Sequence, residues 1–378
     1  MRTHQMPQNM RAPSSIALGR AGRRRSPPRT WARAVRGFSL IELMIALVIA
    51  GILLFGLAVF FVSSSRSFSE AERVSRQIEN GRYALSLLSG EIRLAGFYGE
   101  VKNVTLLPST PAPSAVIPMP ASLPDPCATD FASIKSALPI PLQGVDAPGT
   151  APTCVPDAVS GTDIIVVRRA NTTTIGAGSA VANGFYTQTT NCATLAPVFQ
   201  IAQSGFTLTD QDCATVMPIR QYHVYIYYVA PCSVATGTNG ACASGDAPLP
   251  TLKRIELLPG TAAGSGAMSS PVPLVEGIES IQYEYGLDTT GDGSPDSYTA
   301  APSSLTQWSQ VVSVRIHLLA RNADVSPGFT DTKTYALGMD ADGVTPNTVT
   351  PGGSFRRHAY TALVRLTNVS QRLEPVFP

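Results

Sequence analysis

Leu43–Val62 reads LMIALVIAGILLFGLAVFFV, twenty residues without a charge or a hydroxyl. At about 1.5 Å rise per residue, a helix of this run spans about 30 Å, the thickness of a bilayer core. Its N-terminal side is basic. Residues 1–37 hold nine arginines (Arg2, Arg11, Arg20, Arg23, Arg24, Arg25, Arg29, Arg33, Arg36) and no acid. The positive-inside rule therefore keeps residues 1–37 cytoplasmic and exports the chain from about residue 63. A cleaved secretory signal would have an apolar region of about 7–15 residues and a small-residue cleavage site. Here the run is longer, and Ser63-Ser64-Ser65 leads directly into a helical pattern. A plain signal-anchor helix accounts for the run but not for Glu42. A carboxylate at the mouth of an apolar helix costs a few kcal/mol unless paired, which makes it a functional candidate.

The 378 residues leave room for a real core beyond this helix, which excludes wholesale disorder. Charged residues make up only 14% of the chain, few for a cytosolic enzyme. Of 28 basic side chains, removing the nine leader arginines leaves 19 against 26 acids, so residues 38–378 sit near −7. By bulk charge the exported part is a poor partner for nucleic acid. Six cysteines (Cys127, Cys154, Cys192, Cys213, Cys232, Cys242) all lie in the exported part, with no CxxC pair and no zinc-type Cys/His spacing. An even set in an oxidising compartment predicts up to three disulfides. Fifteen connectivities are possible. The sequential one, Cys127–Cys154, Cys192–Cys213 and Cys232–Cys242, is expected because each pair joins segments flanking one loop.

The helix is predicted to continue past the membrane. Phe68, Ala71, Val74, Ile78, Gly81, Leu85, Leu88, Ile92 and Ala95 recur at three- and four-residue steps. Glu72/Arg76 and Glu79/Arg82 mark a solvated opposite face. Gly81 on the apolar stripe predicts close approach of a sheet, and Gly96 a C-cap. One helix of about 85 Å from Phe38 to Ala95 is expected. Residues 101–160 hold twelve prolines and read as a loop-rich insertion. Strand patterns follow at 162–169, 221–230, 252–258, 275–287, 311–320 and 360–366. In the run 311–320, Val312, Val314, Ile316 and Leu318 share one face. The expected parts are a leader 1–37, a membrane helix 38–62, an amphipathic half 63–100, a Pro-rich insertion 101–160 and a β-rich head 161–378. The fold class is α+β, one long helix packed by its exported half on an antiparallel sheet.

The context of Glu42 is Gly37-Phe38-Ser39-Leu40-Ile41-Glu42-Leu43 after a basic leader. It resembles the signal of type IV prepilins and type II secretion pseudopilins. The resemblance implies that a membrane prepilin peptidase cuts the Gly37–Phe38 bond and that Phe38 is N-methylated. It also implies that Glu42 meets the α-amine of a neighbouring subunit in a filament core. An internal start at Met6 or Met10 would shorten the leader without changing the cut. The runs Glu79–Leu85 (ENGRYAL), Glu91–Phe97 (EIRLAGF), Ile278–Gly286 (IESIQYEYG), Trp308–Leu319 and Arg356–Asn368 are similar to the PilW-type minor pilin family. That resemblance implies a type IV pilin-like fold and a subunit of pilus assembly or initiation, at or near the tip of the fibre. Its partners would be other major and minor pilins and the inner membrane of a Gram-negative bacterium. A J-type pseudopilin of type II secretion and a tip adhesin are the alternatives.

No catalytic set stands out: GxSxG, HExxH and a phosphate-cradling GxxxxGK[ST] are absent. His223, His317 and the tyrosines Tyr222, Tyr225, Tyr227 and Tyr228 fall in strand patterns, where sheet packing explains them. One polar cluster has two readings. Asp288, Thr290, Asp292 and Asp296 occupy positions one, three, five and nine of an EF-hand-like calcium loop, with Gly293 at six and Thr299 where the bidentate glutamate belongs. Alternatively, the same Asp/Gly residues make a plain hairpin turn.

Overall fold

The computed structural model describes residues 37–100, 117–146, 151–194 and 199–373. Most of the leader and the start of the Pro-rich stretch lie outside these residues. The chain divides into two units with the boundary between Ser63 and Ser64, and helix α1 (Leu40–Leu94) contributes to both.

In the first unit α1 is apolar on every face. In the second it becomes amphipathic and buries Gln77, Gly81, Ala84, Leu88 and Ile92, a three- and four-residue rhythm. The stripe is rotated from the predicted one at its start. Phe68 and Ala71 are exposed, and Gln77 and Ala84 are buried where Ile78 and Leu85 were expected. Gln77 fits because its Nε2 donates to the Ala320 carbonyl at 2.8 Å. Gly81 meets the sheet: a Cβ there would run into the Tyr360 ring, with Cζ 2.7 Å away. The helix stops at Leu94, and Gly96 follows at φ +75°, where only glycine is unstrained.

Strands β1 (Leu142–Val145), β2 (Ile164–Ala170), β3 (Tyr186–Thr189), β4 (Phe199–Ala202), β5 (Arg220–Ala230), β6 (Thr251–Pro259), β7 (Gly266–Met268) and β8 (Val272–Glu276) form an antiparallel sheet. Its order is β1-β2-β5-β3-β4, with β6 pairing β5 and carrying β7 and β8 on its far side. A second antiparallel sheet has the order β10-β9-β11-β14, from β9 (Ile278–Leu287), β10 (Ser297–Thr299), β11 (Val311–Arg321) and β14 (Arg357–Arg365). A hairpin of β12 (Tyr335–Met339) and β13 (Pro346–Val349) covers its outer side, where Met339 N donates to Glu284 Oε1 at 3.1 Å.

Two cores follow from period-two alternation. One holds Ala84, Leu88 and Ile92 of α1 against Tyr283 and Tyr285 of β9, Val314, Ile316 and Leu318 of β11, and Tyr225 and Tyr227 of β5. The other lies on the opposite face of the large sheet, from Val224, Ile226 and Tyr228 with Ile134 and Leu138. A register shift between Val311 and Ser313 puts Val311, rather than the predicted Val312, in the first core. The Pro-rich stretch is more integrated than a loop insertion: it supplies β1 and the short helix α2 (Phe131–Ser136), capped by Asp130, to the head. Two further short helices, α3 (Leu305–Ser309) and α4 (Thr367–Leu373), flank the second sheet.

Candidate functional site

Gly37, Phe38 and Ser39 precede α1, and the Leu43 amide donates to the Ser39 carbonyl at 3.1 Å, closing the first turn. Glu42 sits in that turn, where the positive end of the helix dipole favours an anion. Glu42 is exposed, as are its neighbours along the helix. Eighteen large apolar side chains between Phe38 and Val62 are exposed, from 49% at Val62 to 81% at Phe38. An 18-residue window of the helix reaches a mean hydropathy of 3.0 with none of it buried. So large an apolar surface marks a membrane or protein contact along the whole segment. Within such a contact the Glu42 carboxylate needs a cation partner.

The other sequence candidates part ways. The structure bonds the six cysteines as Cys127–Cys154, Cys192–Cys213 and Cys232–Cys242, with Cα separations of 5.6, 5.1 and 5.9 Å. Lys253, 1% exposed, sits 3.9 Å from both sulfurs of the last pair and 3.9 Å from Asp157 Oδ2. Burial lowers its pKa, and Asp157 and Asp246 oppose that. Asp157 with Cys232 and Cys242 is a tight group of ligand-type atoms, but both sulfurs are already in the disulfide.

The Asp288 loop carries the hydrogen bonds of a turn. Asp288 is buried and points inward: its Oδ1 accepts from Gly291 N at 2.6 Å and its Oδ2 from Gly293 N at 2.7 Å. Asp296 Oδ2 accepts from Thr289 N and Oγ1 and from Thr290 N. Asp292 Oδ1 accepts from Ser294 N. The carboxylates thus hold the loop's own donors, as Asx turns do, and Asp288 and Asp296 converge on the Thr290 hydroxyl at 3.4 Å each. Gly291 and Gly293, at φ +80° and +83°, supply the left-handed backbone.

Both strand histidines are held inside. His317 Nε2 lies 3.1 Å from Glu284 Oε2 and its Nδ1 3.2 Å from Thr361 Oγ1. His223 stacks on Tyr225, and burial together with Arg169 and Arg254 pushes its pKa down to about 4. The four tyrosines of β5 are buried on both faces of the sheet, so packing accounts for them.

Side chains in the similar runs join α1 to the head or brace the head internally. Glu91 takes a forked bond from Arg169 of β2, at 2.7 and 3.0 Å. Asn80 Nδ2 donates to the Glu276 carbonyl at 3.0 Å. Arg357, 3% exposed, is held by Glu279 and by Asp331 Oδ2 at 2.9 Å. Asn368 Nδ2 donates to the carbonyls of Arg93 and Ala95 at the helix end. Sequence reading missed Glu70, which accepts from Arg356 Nε at 3.1 Å and Ser326 Oγ at 2.9 Å. These pairs join positions up to 286 residues apart, and no spacing signals them.

Residues 226–368 match the family model described as Type IV Pilus-assembly protein W, and residues 32–58 match the prokaryotic N-terminal methylation motif. The chain carries a PilW-type domain behind a prepilin-type N-terminal motif. Its function is that of a minor pilin in pilus assembly, a structural subunit whose methylation motif carries prepilin peptidase processing with it. The PilW match begins inside β5 and ends at the start of α4, so it takes in the whole second sheet but not the first core's β2. Among solved structures, a type IV-like pilin from Thermus thermophilus is similar at 11% identity and a TM-score of 0.31, over 78% of this chain and 97% of that one. No curated protein sequence matches.

Proposed function

We propose that this PilW-type pilin is cut between Gly37 and Phe38, methylated on Phe38, and built into the filament at or near its tip, where it helps to start or cap assembly. The single observation that supports this most is the apolar helix of residues 40–62, exposed along its length with one acid, Glu42, in its first turn. Before assembly the segment anchors the chain in the inner membrane, arginine-rich leader in the cytoplasm and head in the periplasm, as the charge asymmetry favours. During assembly the same surface passes from lipid to neighbouring pilin helices. The amine created at Phe38 on one subunit then supplies the cation that Glu42 of the next requires, and neither charge is left alone in an apolar medium.

Mass spectrometry of the mature chain tests the first step. The expected N-terminus is N-methylated Phe38, and Gly37→Ala leaves the uncut precursor in the membrane. Mature protein of normal mass in cells lacking prepilin peptidase would overturn the reading. Sheared fibres test the second step: the subunit is expected there in low copy, and fibre number falls in its absence. Normal fibres without the subunit would move the reading to a tip adhesin. Loss of protein secretion with pili intact would move it to a J-type pseudopilin.

A further inference from the structure

The two large sheets end in strands that are short, with one exception. Edge strands β1, β4, β7 and β10 have four, four, three and three residues, and β8 has five with Pro273 among them. Short edges and prolines are how a soluble sheet avoids pairing with another chain. Strand β14 has neither protection. It pairs β11 over nine consecutive positions, Ser313↔Arg365 to Arg321↔Arg357, without a register shift and without proline. The bond from Leu366 N to the Val312 carbonyl sets the phase of the ladder. In an antiparallel pair the bonded positions alternate, so Arg357's even-numbered neighbours face β11. Ala359, Thr361 and Leu363 therefore turn their N–H and C=O groups outward. Among the described residues no backbone group meets them. Leu363 adds a side chain 62% exposed.

A groove lies at the N-terminal end of this strand, with a cavity of about 210 Å³. Val74, Ile78 and Phe329 give it an apolar floor, and Lys333, Arg356 and His358 line it as donors; no carboxylate does. Arg356 is paired with Glu70, whereas Lys333 is exposed and forms no ion pair among the described residues.

We infer that β14 is a docking edge on which an extended segment of another pilin subunit adds a strand, with an acidic side chain of that segment seated in the groove against Lys333. Backbone pairing on a free edge supplies affinity, and the alternate side chains and the end charge supply selectivity. The charge argues for an acidic partner, and the floor argues for one whose acid is flanked by apolar residues. The inference rests on the minor-pilin reading above.

The test places p-benzoylphenylalanine at Leu363 or Lys333 of the full-length protein in piliated cells. The expected adduct is a second subunit with its own prepilin-type N-terminus, joined through an extended segment containing Asp or Glu. Leu363→Pro, which removes an outward N–H only, is expected to lower crosslinking from position 333 at least tenfold. Lys333→Glu is expected to lower crosslinking from position 363 several-fold. Leu363→Lys, a substitution that keeps the N–H, checks that the loss follows from the edge; purified variants in detergent should melt within a few degrees of wild type. A missing pilin adduct at both positions, an adduct with a non-pilin, or an undiminished yield in a folded Leu363→Pro protein overturns the inference. If methylated Phe38 and fibre incorporation persist meanwhile, only the docking edge fails and the minor-pilin reading stands.

Discussion

Glu42, Gly81 and His223 each stand where their residue type is costly. For Glu42 the cost is a charge in an apolar contact, and the proposed offset is a neighbour's amine. Glu42→Val should leave insertion and cleavage at Phe38 intact yet lower the subunit's share in sheared fibres at least several-fold. Equal incorporation would show that the charge is dispensable. Gly81 forfeits about 1 kcal/mol of helix propensity against alanine, and the Tyr360 ring fills the space a side chain would need. Gly90 lies in the same helix with open space around its Cβ position. Gly81→Leu should therefore destabilise by about 1–3 kcal/mol through overpacking, while Gly90→Ala should stabilise by up to about 1 kcal/mol. Opposite shifts in melting midpoint check the pair. His223 is held neutral, with its pKa lowered from 6.5 to about 4. A depressed histidine binds fewer protons folded than unfolded. Its contribution is therefore fully present above pH 6.5 and is lost as the pH falls toward 4, about 3 kcal/mol at the limit. Urea unfolding at pH 7 and pH 5 should show the loss, and His223→Phe should reduce the difference.

At the scale of elements, the strongly periodic pieces were legible and the short ones were not. The strands at 164–170, 220–230, 278–287 and 311–321 carry enough β-branched and aromatic residues to stand out unaided. Strands β3, β4, β7, β10, β12 and β13 have three to five residues and owe their form to a neighbour. Gln188 in β3, for instance, is buried with its Nε2 donating to the Leu208 and Met217 carbonyls of distant loops. The α1 stripe was legible in period and misplaced in phase, because Gln77 is buried for its bond to Ala320 and hydrophobicity cannot show that. For the Asp288 loop the residues allow calcium and turn alike, and the hydrogen bonds its carboxylates make are those of a turn. Its melting midpoint should not respond to millimolar calcium or to chelator. Asp288→Ala should cost about 1–3 kcal/mol by leaving the Gly291 and Gly293 amides without their acceptor. A rise in midpoint with calcium, abolished in Asp292→Ala, would decide for the metal site. The three disulfides close separations of 27, 21 and 10 residues. On chain entropy the longest is worth about 1 kcal/mol more than the shortest.

The whole molecule joins two units that answer to different solvents. The first keeps its apolar side chains outside because lipid or other pilin helices are its surroundings. The second satisfies itself, with two cores, three disulfides and a set of ion pairs tying α1 to the head. Those ties begin at Glu70 and Arg73, which reach Arg356, Ser326 and the Val325 carbonyl, and the first fully buried helix residue is Gln77. The boundary between Ser63 and Ser64 therefore falls just before the first contact that matters to the head. A chain starting at Ser64 should be soluble without detergent, monomeric, and within about 2 °C of the full-length protein's head transition, since no tie is removed. A chain starting at Arg76 loses Glu70 and Arg73 and leaves Arg356 and Ser326 without their partner. It should melt several degrees lower, as the loss of a partly buried charged network of about 1–3 kcal/mol requires in a domain of this size. Comparing the two truncations by calorimetry isolates the network from the membrane segment. Equal midpoints would mean that the Glu70 contacts only decorate the helix, and that the head's stability begins with Gln77.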